Sequence, residues 1–540
     1  MTETTAPAPS AGSSTPARPL NLADVFEAIA DAVPDRAAII TMDGTYTYAD
    51  IDRRATRLAN HLLSLGVQPG DHVAVHSKNR IEWVEAFYGC FKARVVPINI
   101  NYKYLREELQ YLYGNSDAVV ALIAPEHVEA VAELDVPKLR HTLVFGEEYE
   151  AALAAASADR PSDTGRTGQD HYVLYTGGTT GNPKGVVWRH EDWIPAALNA
   201  GRFGAPIESV EQLAQEAAAN ESPMVLLALG PMMHGGSQWT MANGHVAGQS
   251  MALYTEASFS AETAMDLVQH AGVTSLTFLG DAMGRPVADA ILAEPDRWDL
   301  SRLISISNGA APLSDGVRAQ LREALPGRFI LDTYGASESG ATASRIDDGN
   351  DGPLGPPRFG ASDDVEVFDP VDFTPCPVGV DGLLGRTGPI PLGYYNDPVK
   401  TAATFREIEG RRWSIPGDFA RREEDGTIAV LGRGSVCINT GGEKVHPEEV
   451  ESALLRHDDV FDAVVVGTPH ERWGQQVTAL VHLREGATAS ADDLRDHVKG
   501  LLANYKAPKE VLFVSHVPRT PVSKVDYPAS TRLAQELLGN

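Results

Sequence analysis

From Leu20 onward the apolar residues recur at helical spacing. Leu22, Val25, Phe26, Ile29, Ala30 and Val33 share one face, which predicts an amphipathic helix. Short apolar runs then alternate with such helices. Strands are expected near residues 38–40, 72–75, 95–98, 119–123, 224–229, 275–278 and 303–306, with a helix through residues 83–91. This alternation predicts an α/β fold, a large N-terminal domain of mixed sheets with helices. After about residue 350 the texture changes. Pro and Gly crowd together at Gly352-Pro353-Leu354-Gly355-Pro356-Pro357, and short strands separated by turns run to residues 428–431, as a small β-subdomain would. Gly432-Arg433-Gly434-Ser435 has the composition of a hinge, and a compact α+β pattern fills the remainder. The expected organisation is therefore a tail over 1–18, an N-terminal domain over 19–431, a hinge over 432–435 and a C-terminal domain over 436–540. The tail is rich in Ala, Pro, Ser and Thr, lacks the apolar core of a secretory signal and is expected to be disordered. Residues 208–220 are polar and Ala-rich and are expected to form a surface helix or insertion.

At 540 residues the chain exceeds what one hydrophobic core usually supports, in keeping with at least two domains. Apolar residues make up 43% and charged residues 22%, the balance of an ordinary globular protein, and no run approaches the length of a membrane span. The formal net charge of −28 excludes nonspecific nucleic-acid binding and docking on anionic lipid. An anionic ligand must then be held by local groups. Cys90, Cys376 and Cys437 lie far apart without metal-ligand spacing, which predicts reduced thiols in a cytoplasmic protein.

The densest chemistry lies in Tyr175-Thr176-Gly177-Gly178-Thr179-Thr180-Gly181-Asn182-Pro183-Lys184-Gly185-Val186, entered and left by apolar runs. It reads as strand, phosphate loop, strand. Glycines let backbone N–H groups converge, threonine hydroxyls add neutral donors and lysine adds a mobile cation. A Walker loop would put its lysine directly after glycine and open a helix, whereas here Pro183 precedes Lys184 and β-branched residues follow. A Gly/Thr surface turn shares the composition as far as Gly181, but not the Pro-Lys-Gly continuation.

Three further clusters suit a nucleotide. Ile306-Ser307-Asn308-Gly309-Ala310-Ala311-Pro312 leaves a strand through small residues against which a flat ring can lie, and a helix is expected from near Ser314. Asp332-Thr333-Tyr334-Gly335-Ala336-Ser337-Glu338 combines an aromatic for stacking, a hydroxyl and a carboxylate with the hard oxygen that Mg²⁺ prefers. Asp418 ends Trp413-Ser414-Ile415-Pro416-Gly417-Asp418 and could hold two ribose hydroxyls. His234 follows the strand at 224–229. Nearby Met232, Met233, Trp239 and Met241 read as core in preference to the wall of an acyl tunnel.

These segments, in this order, resemble the adenylate-forming superfamily of acyl-CoA synthetases, luciferases and peptide-synthetase adenylation domains, across essentially residues 20 to 540. The chain departs from the usual loop by carrying Gly177 where serine is common. The resemblance implies ATP, CoA and Mg²⁺, with a small-molecule carboxylic acid as substrate. It implies that Thr176, Gly177, Gly178, Thr179, Thr180, Gly181 and Lys184 grip phosphates and that Ala310, Ala311 and Pro312 line the adenine pocket. Asp332 to Ala336 belong to the same nucleotide site, with Tyr334 stacking on the base, Ser337 at the α-phosphate and Glu338 on the metal. Asp418 and Arg433 are implied to bind ribose, and His234 to position the acyl carboxylate. Gly441, Gly442 and Lys444, in Thr440-Gly441-Gly442-Glu443-Lys444, resemble the pantetheine passage of acyl-CoA synthetases. Lys524, in Pro518-Arg519-Thr520-Pro521-Val522-Ser523-Lys524, matches the lysine that bridges carboxylate and α-phosphate, and the C-terminal domain that carries it is implied to be mobile. Within the superfamily the motifs look most like actinobacterial fatty-acid and steroid-side-chain CoA ligases. Transfer of the acyl group to a carrier protein or an amine, a non-enzymatic nucleotide sensor, and assembly as a homodimer stay open at this point.

Overall fold

The computed structural model describes residues 18–162, 165–176, 182–198, 206–309, 313, 315–347, 358–360, 362–433, 436, 438–440, 443–470, 474–502, 504–519 and 525–539. Two sheets with parallel cores form the N-terminal part. In the larger, Ala37–Ile40, Ser250–Ala252, Val225–Ala228, Ser275–Phe278, Ser305–Asn308 and Phe329–Ala336 run parallel, with antiparallel edges Thr45–Thr47 and Gly340–Asp347. The smaller holds four parallel strands, Val96–Asn99, His72–His76, Ala118–Ile123 and His141–Val144. In parallel sheets ligands gather beyond the carboxyl ends of the strands, so those ends are where chemistry is expected.

A hairpin of His171–Thr176 and Lys184–Arg189 stands between two cores. Tyr172, Leu174, Val186 and Trp188 pack into the main cluster, while Val173, Tyr175 and Val187 pack into the cluster on the small sheet. Burial of both faces explains its nearly continuous apolar sequence.

The first helix, Leu22–Ala32, is capped by Asn21 and contributes Leu22, Val25, Phe26 and Ile29 to the main core. The segment expected to be a polar surface helix is Val210–Ala219, and it is better anchored than its composition suggested. Val210, Leu213 and Ala217 are buried in the same core, and Arg36 ties the carbonyls of Ala217, Asn220 and Gly248. The strand expected at 303–306 is Ser305–Asn308, because small polar residues continue it: Ser305 Oγ donates to Ser275 Oγ on the neighbouring strand.

Beyond residue 358 an antiparallel sheet forms the β-subdomain, ending in Thr427–Arg433. Gly432 sits there at φ 105°, a left-handed conformation open to glycine at little cost. A separate C-terminal domain follows, with five strands and its own core of Ile438, Val450, Val465, Val477, Leu494 and others. Arg285 of the large domain lies over the Phe461 ring of this domain, 5.1 Å from its centroid.

Several buried histidines are held neutral, His245, His190 and His76 among them. Burial holds His245 and His190 at about 4 and His76 at about 3, against an ordinary 6.5. For His245 the partners agree: Tyr88 Oη lies 2.7 Å from Nδ1 and Ala38 O 3.1 Å from Nε2, so a neutral ring accepts at one and donates at the other. Below pH 6.5 the unfolded chain binds protons that these sites refuse, so stability falls as pH drops from about 6.5 towards 4, by on the order of 3 kcal/mol for each fully buried group. The melting temperature should decline by several degrees across that window, and His245→Gln, which keeps a donor and an acceptor, should flatten part of the slope. A level profile between those pH values would rule out this account.

Candidate active site

The register Thr176↔Lys184 sets the two ends of the glycine loop side by side. Gly177 to Gly181 lie outside the described residues. Asn99, at the carboxyl end of its parallel strand, locks the hairpin to the small sheet: its Nδ2 donates to Tyr175 O (2.8 Å) and Met233 O (2.7 Å), and its Oδ1 accepts from Tyr175 N–H (2.8 Å). One buried amide therefore fixes both the root of the phosphate loop and the turn before His234. Asn79 holds the same turn, accepting from Met232 N–H at 2.6 Å.

His234 is extended at the N-cap of helix Gly235–Val246. Met232, Met233 and Met241 are buried, as expected of core residues, and the partly buried Trp239 donates its indole N–H to Tyr172 Oη at 3.1 Å.

Strands Ser305–Asn308 and Phe329–Ala336 are neighbours with Asn308 opposite Asp332, so the segments that follow leave the same sheet edge. Ala310, Ala311, Pro312 and Ser314 lie outside the described residues; the helix after them is Asp315–Ala324. The Asp332 carboxylate is buried and committed within the chain, to Arg318 at 2.7 Å and Arg345 at 3.3 Å. Its contribution to a ligand would run through the backbone. Thr333 is exposed, and the Tyr334 ring lies 5.8 Å from that of Phe359. A register irregularity between Tyr334 and Gly335 turns the ribbon just before Ser337 and Glu338.

That turn is held from several sides. Trp188 Nε1 donates to Ser337 O at 2.9 Å, and Ser414 Oγ donates to Glu338 O at 2.6 Å. Tyr394 Oη donates to Glu338 Oε1 at 2.9 Å, while Lys184 Nζ lies 5.7 Å from the centroid of the Tyr394 ring. The structure thus brings Thr176, Lys184, Ser337 and Glu338 into one neighbourhood. Among the described residues no group of three or more His, Cys, Asp or Glu could hold a metal alone. A single carboxylate with one oxygen spoken for is nevertheless what Mg²⁺ needs when substrate phosphates and water complete its octahedron. Glu338 fits that part.

Asp418 is buried and stands opposite Arg433 in the register of two antiparallel strands. The side chains of Arg433 and Lys444 lie outside the described residues, as do Ser435, Cys437, Gly441, Gly442 and Lys524. Strands Ile438–Thr440 and Glu443–Val445 flank the glycine pair. Asn99 and Tyr394 escaped the sequence reading. A polar residue ending an apolar parallel strand was the available signal for Asn99, and no local motif marked Tyr394.

The AMP-binding enzyme model matches residues 26–395, well over half of the chain. The chain belongs to the AMP-binding enzyme family. A model of the C-terminal domain of AMP-binding enzymes matches residues 449–524 as well. Among curated AMP-binding relatives, a 3-oxocholest-4-en-26-oate–CoA ligase of Rhodococcus rhodochrous is 41% identical, the alignment covering 94% of this chain and 95% of that protein. A medium/long-chain-fatty-acid–CoA/3-oxocholest-4-en-26-oate–CoA ligase of Mycobacterium tuberculosis is 42% identical with the same coverage. Among solved structures, ATP-bound MatB from Rhodopseudomonas palustris is similar with a TM-score of 0.81 and 27% identity, over 96% of this chain and 99% of that one. The anthranilate CoA ligase AuaEII has a TM-score of 0.84 at 22% identity, covering 97% and 99%, a likeness of fold. No helix among the described residues is long and apolar enough to cross a membrane.

Proposed function

We infer that this AMP-binding enzyme joins a carboxylic acid to CoA in two steps. A carboxylate oxygen attacks the α-phosphorus of ATP, expelling pyrophosphate and leaving an acyl adenylate. The CoA thiol then attacks the acyl carbon and AMP departs. A free carboxylate resists thiols, and the adenylate gives it a stable leaving group. The acid is already ionised at neutral pH, so no general base is needed for the first step.

The observation that carries the reading is the convergence of Lys184 and Glu338 on Tyr394 beside Thr176, in a chain that aligns over 94% of its length with CoA ligases. In this reading Thr176 and Lys184 hold the outgoing phosphates, Tyr334 and the segment around Ala310 to Pro312 hold adenine, and Asp418 with Arg433 holds ribose. Ser337 and Lys524 meet charge at the α-phosphate, and His234 orients the acid carboxylate. Mg²⁺, carried in on the nucleotide and held by Glu338, would offset charge on the phosphates. The reaction is then one of electrostatic stabilisation by groups already in place. Gly441, Gly442 and Lys444 receive the pantetheine arm after the domain beyond residues 432–435 turns. ATP and CoA as co-substrates suit the cytoplasm.

The acid is proposed to be a medium- or long-chain fatty acid or a steroid side-chain acid. The names of relatives 41–42% identical support that class. A panel of short, medium, long and steroidal acids in a pyrophosphate-release assay, repeated with and without CoA while AMP is followed, tests both parts. Release with the long or steroidal acids, and AMP turnover only with CoA, is expected. AMP turnover driven by an amine or a carrier protein instead would overturn the choice of acceptor, and ATP binding without acid-dependent pyrophosphate release would remove the enzyme reading.

A further inference from the structure

Lys184 and Glu338 carry opposite charges and are assigned above to one nucleotide, yet they form no ion pair with each other. The Tyr394 ring stands at both. Lys184 Nζ lies over its face and Glu338 Oε1 accepts from its hydroxyl. Two such groups left adjacent in a half-buried cleft would pair, and an incoming nucleotide would first have to separate them.

The placement of the ring is enforced from its backbone. Gly393–Tyr394 forms a third strand on the phosphate hairpin, with Tyr394 opposite Val186, two residues from Lys184. Tyr394 N–H donates to Thr401 Oγ1 at 2.9 Å, and its ring packs edge-on to Phe405 with centroids 5.7 Å apart. The backbone from which the hydroxyl reaches Glu338 is therefore held by the strand, and the ring is packed against Phe405. The hydroxyl occupies Oε1, and among the described residues the other carboxylate oxygen, Oε2, has no hydrogen bond.

We propose that Tyr394 is a positioning residue which keeps Lys184 and Glu338 apart in the free enzyme, holding the lysine for phosphate and one glutamate oxygen for the nucleotide-bound metal. This rests on the function inferred above. The ring supplies the separation and the hydroxyl supplies the carboxylate's orientation, so two substitutions divide the roles. Tyr394→Leu removes both. Tyr394→Phe removes only the hydroxyl.

ATP binding measured calorimetrically in EDTA isolates the lysine from the metal. Tyr394→Leu should weaken metal-free ATP binding roughly three- to fivefold, the cost of breaking a new Lys184–Glu338 pair. Adding Glu338→Gln to that variant should restore the metal-free affinity of Glu338→Gln alone, because no pair can then form. Tyr394→Phe should keep metal-free affinity within about twofold while raising the Mg²⁺ concentration for half-maximal pyrophosphate release roughly tenfold, as expected for one lost hydrogen bond to a charged group. Unchanged metal-free affinity in Tyr394→Leu, or a loss that Glu338→Gln fails to rescue, overturns the proposal. So does a metal-free loss in Tyr394→Phe as large as that in Tyr394→Leu. Thermal melting of each variant separates these results from misfolding, and the phenylalanine variant, which keeps the packing on Phe405, preserves the test if leucine unfolds the strand. Wild-type protein that binds ATP yet releases no pyrophosphate with any acid would remove the function reading and leave this inference standing.

Discussion

Lys524→Ala should cut acid-dependent pyrophosphate release by roughly 10²- to 10³-fold, the effect of removing one charge-stabilising donor at the reacting centre. It should leave thioester formation from supplied acyl adenylate close to the unmodified rate. The asymmetry follows from where the groups lie in the chain. Both Lys524 and the Gly441-Gly442 pair sit beyond the hinge proposed at 432–435, and the proposed function assigns them to different half-reactions. In that proposal Lys524 withdraws when the glycine pair approaches. Rapid-quench measurement of each half-reaction decides the matter, and equal loss of both would refute the division of labour. If the C-terminal domain turns as proposed, the Arg285–Phe461 contact is one that the turn would break.

The second large effect is expected from a single methyl group. Gly335 lies between Tyr334 and Ser337-Glu338, where the ribbon carries its register irregularity. A Cβ there would stand 2.4 Å from Gly340 O and 3.2 Å from Ala341 Cα, both backbone atoms of the paired strand. Neither can swing aside as a flexible side chain could, so the two strands must separate. Gly335→Ala should then cost about 1–3 kcal/mol of stability and, by moving the turn that carries Ser337 and Glu338, weaken MgATP binding more than tenfold. Gly360→Ala, whose methyl would meet nothing within 4 Å, is the matching control. Wild-type affinity in Gly335→Ala would show that the turn tolerates the displacement.

Much of this was legible from residue order because the parallel strands are buried on both faces and therefore apolar. The run at 275–278 falls on the observed strand Ser275–Phe278, and the phosphate loop falls between two paired strands. The legible site residues are those whose partners lie in the same short motif. Tyr394 and Asn99 act across distance: Tyr394 reaches Glu338, 56 positions away, and Asn99 reaches Met233, 134 positions away. No local pattern encodes such a contact. Helix Val210–Ala219 was underrated for a related reason, since its three buried residues acquire meaning only against the first helix. The ion pairs of Asp332 with Arg318 and Arg345 were likewise invisible in the motif, since both partners come from other segments.

The three hydrogen bonds of Asn99 bear on how the protein acquires activity as it folds. They join residues 99, 175 and 233, so the phosphate loop and the His234 turn reach their working relation only after loops of 76 and 134 residues have closed. Closures of that span are slow to nucleate compared with helices and hairpins. On refolding, secondary structure and core fluorescence should recover before nucleotide binding does, and the interval between them is the time the chain needs to tie these separated segments to a single amide.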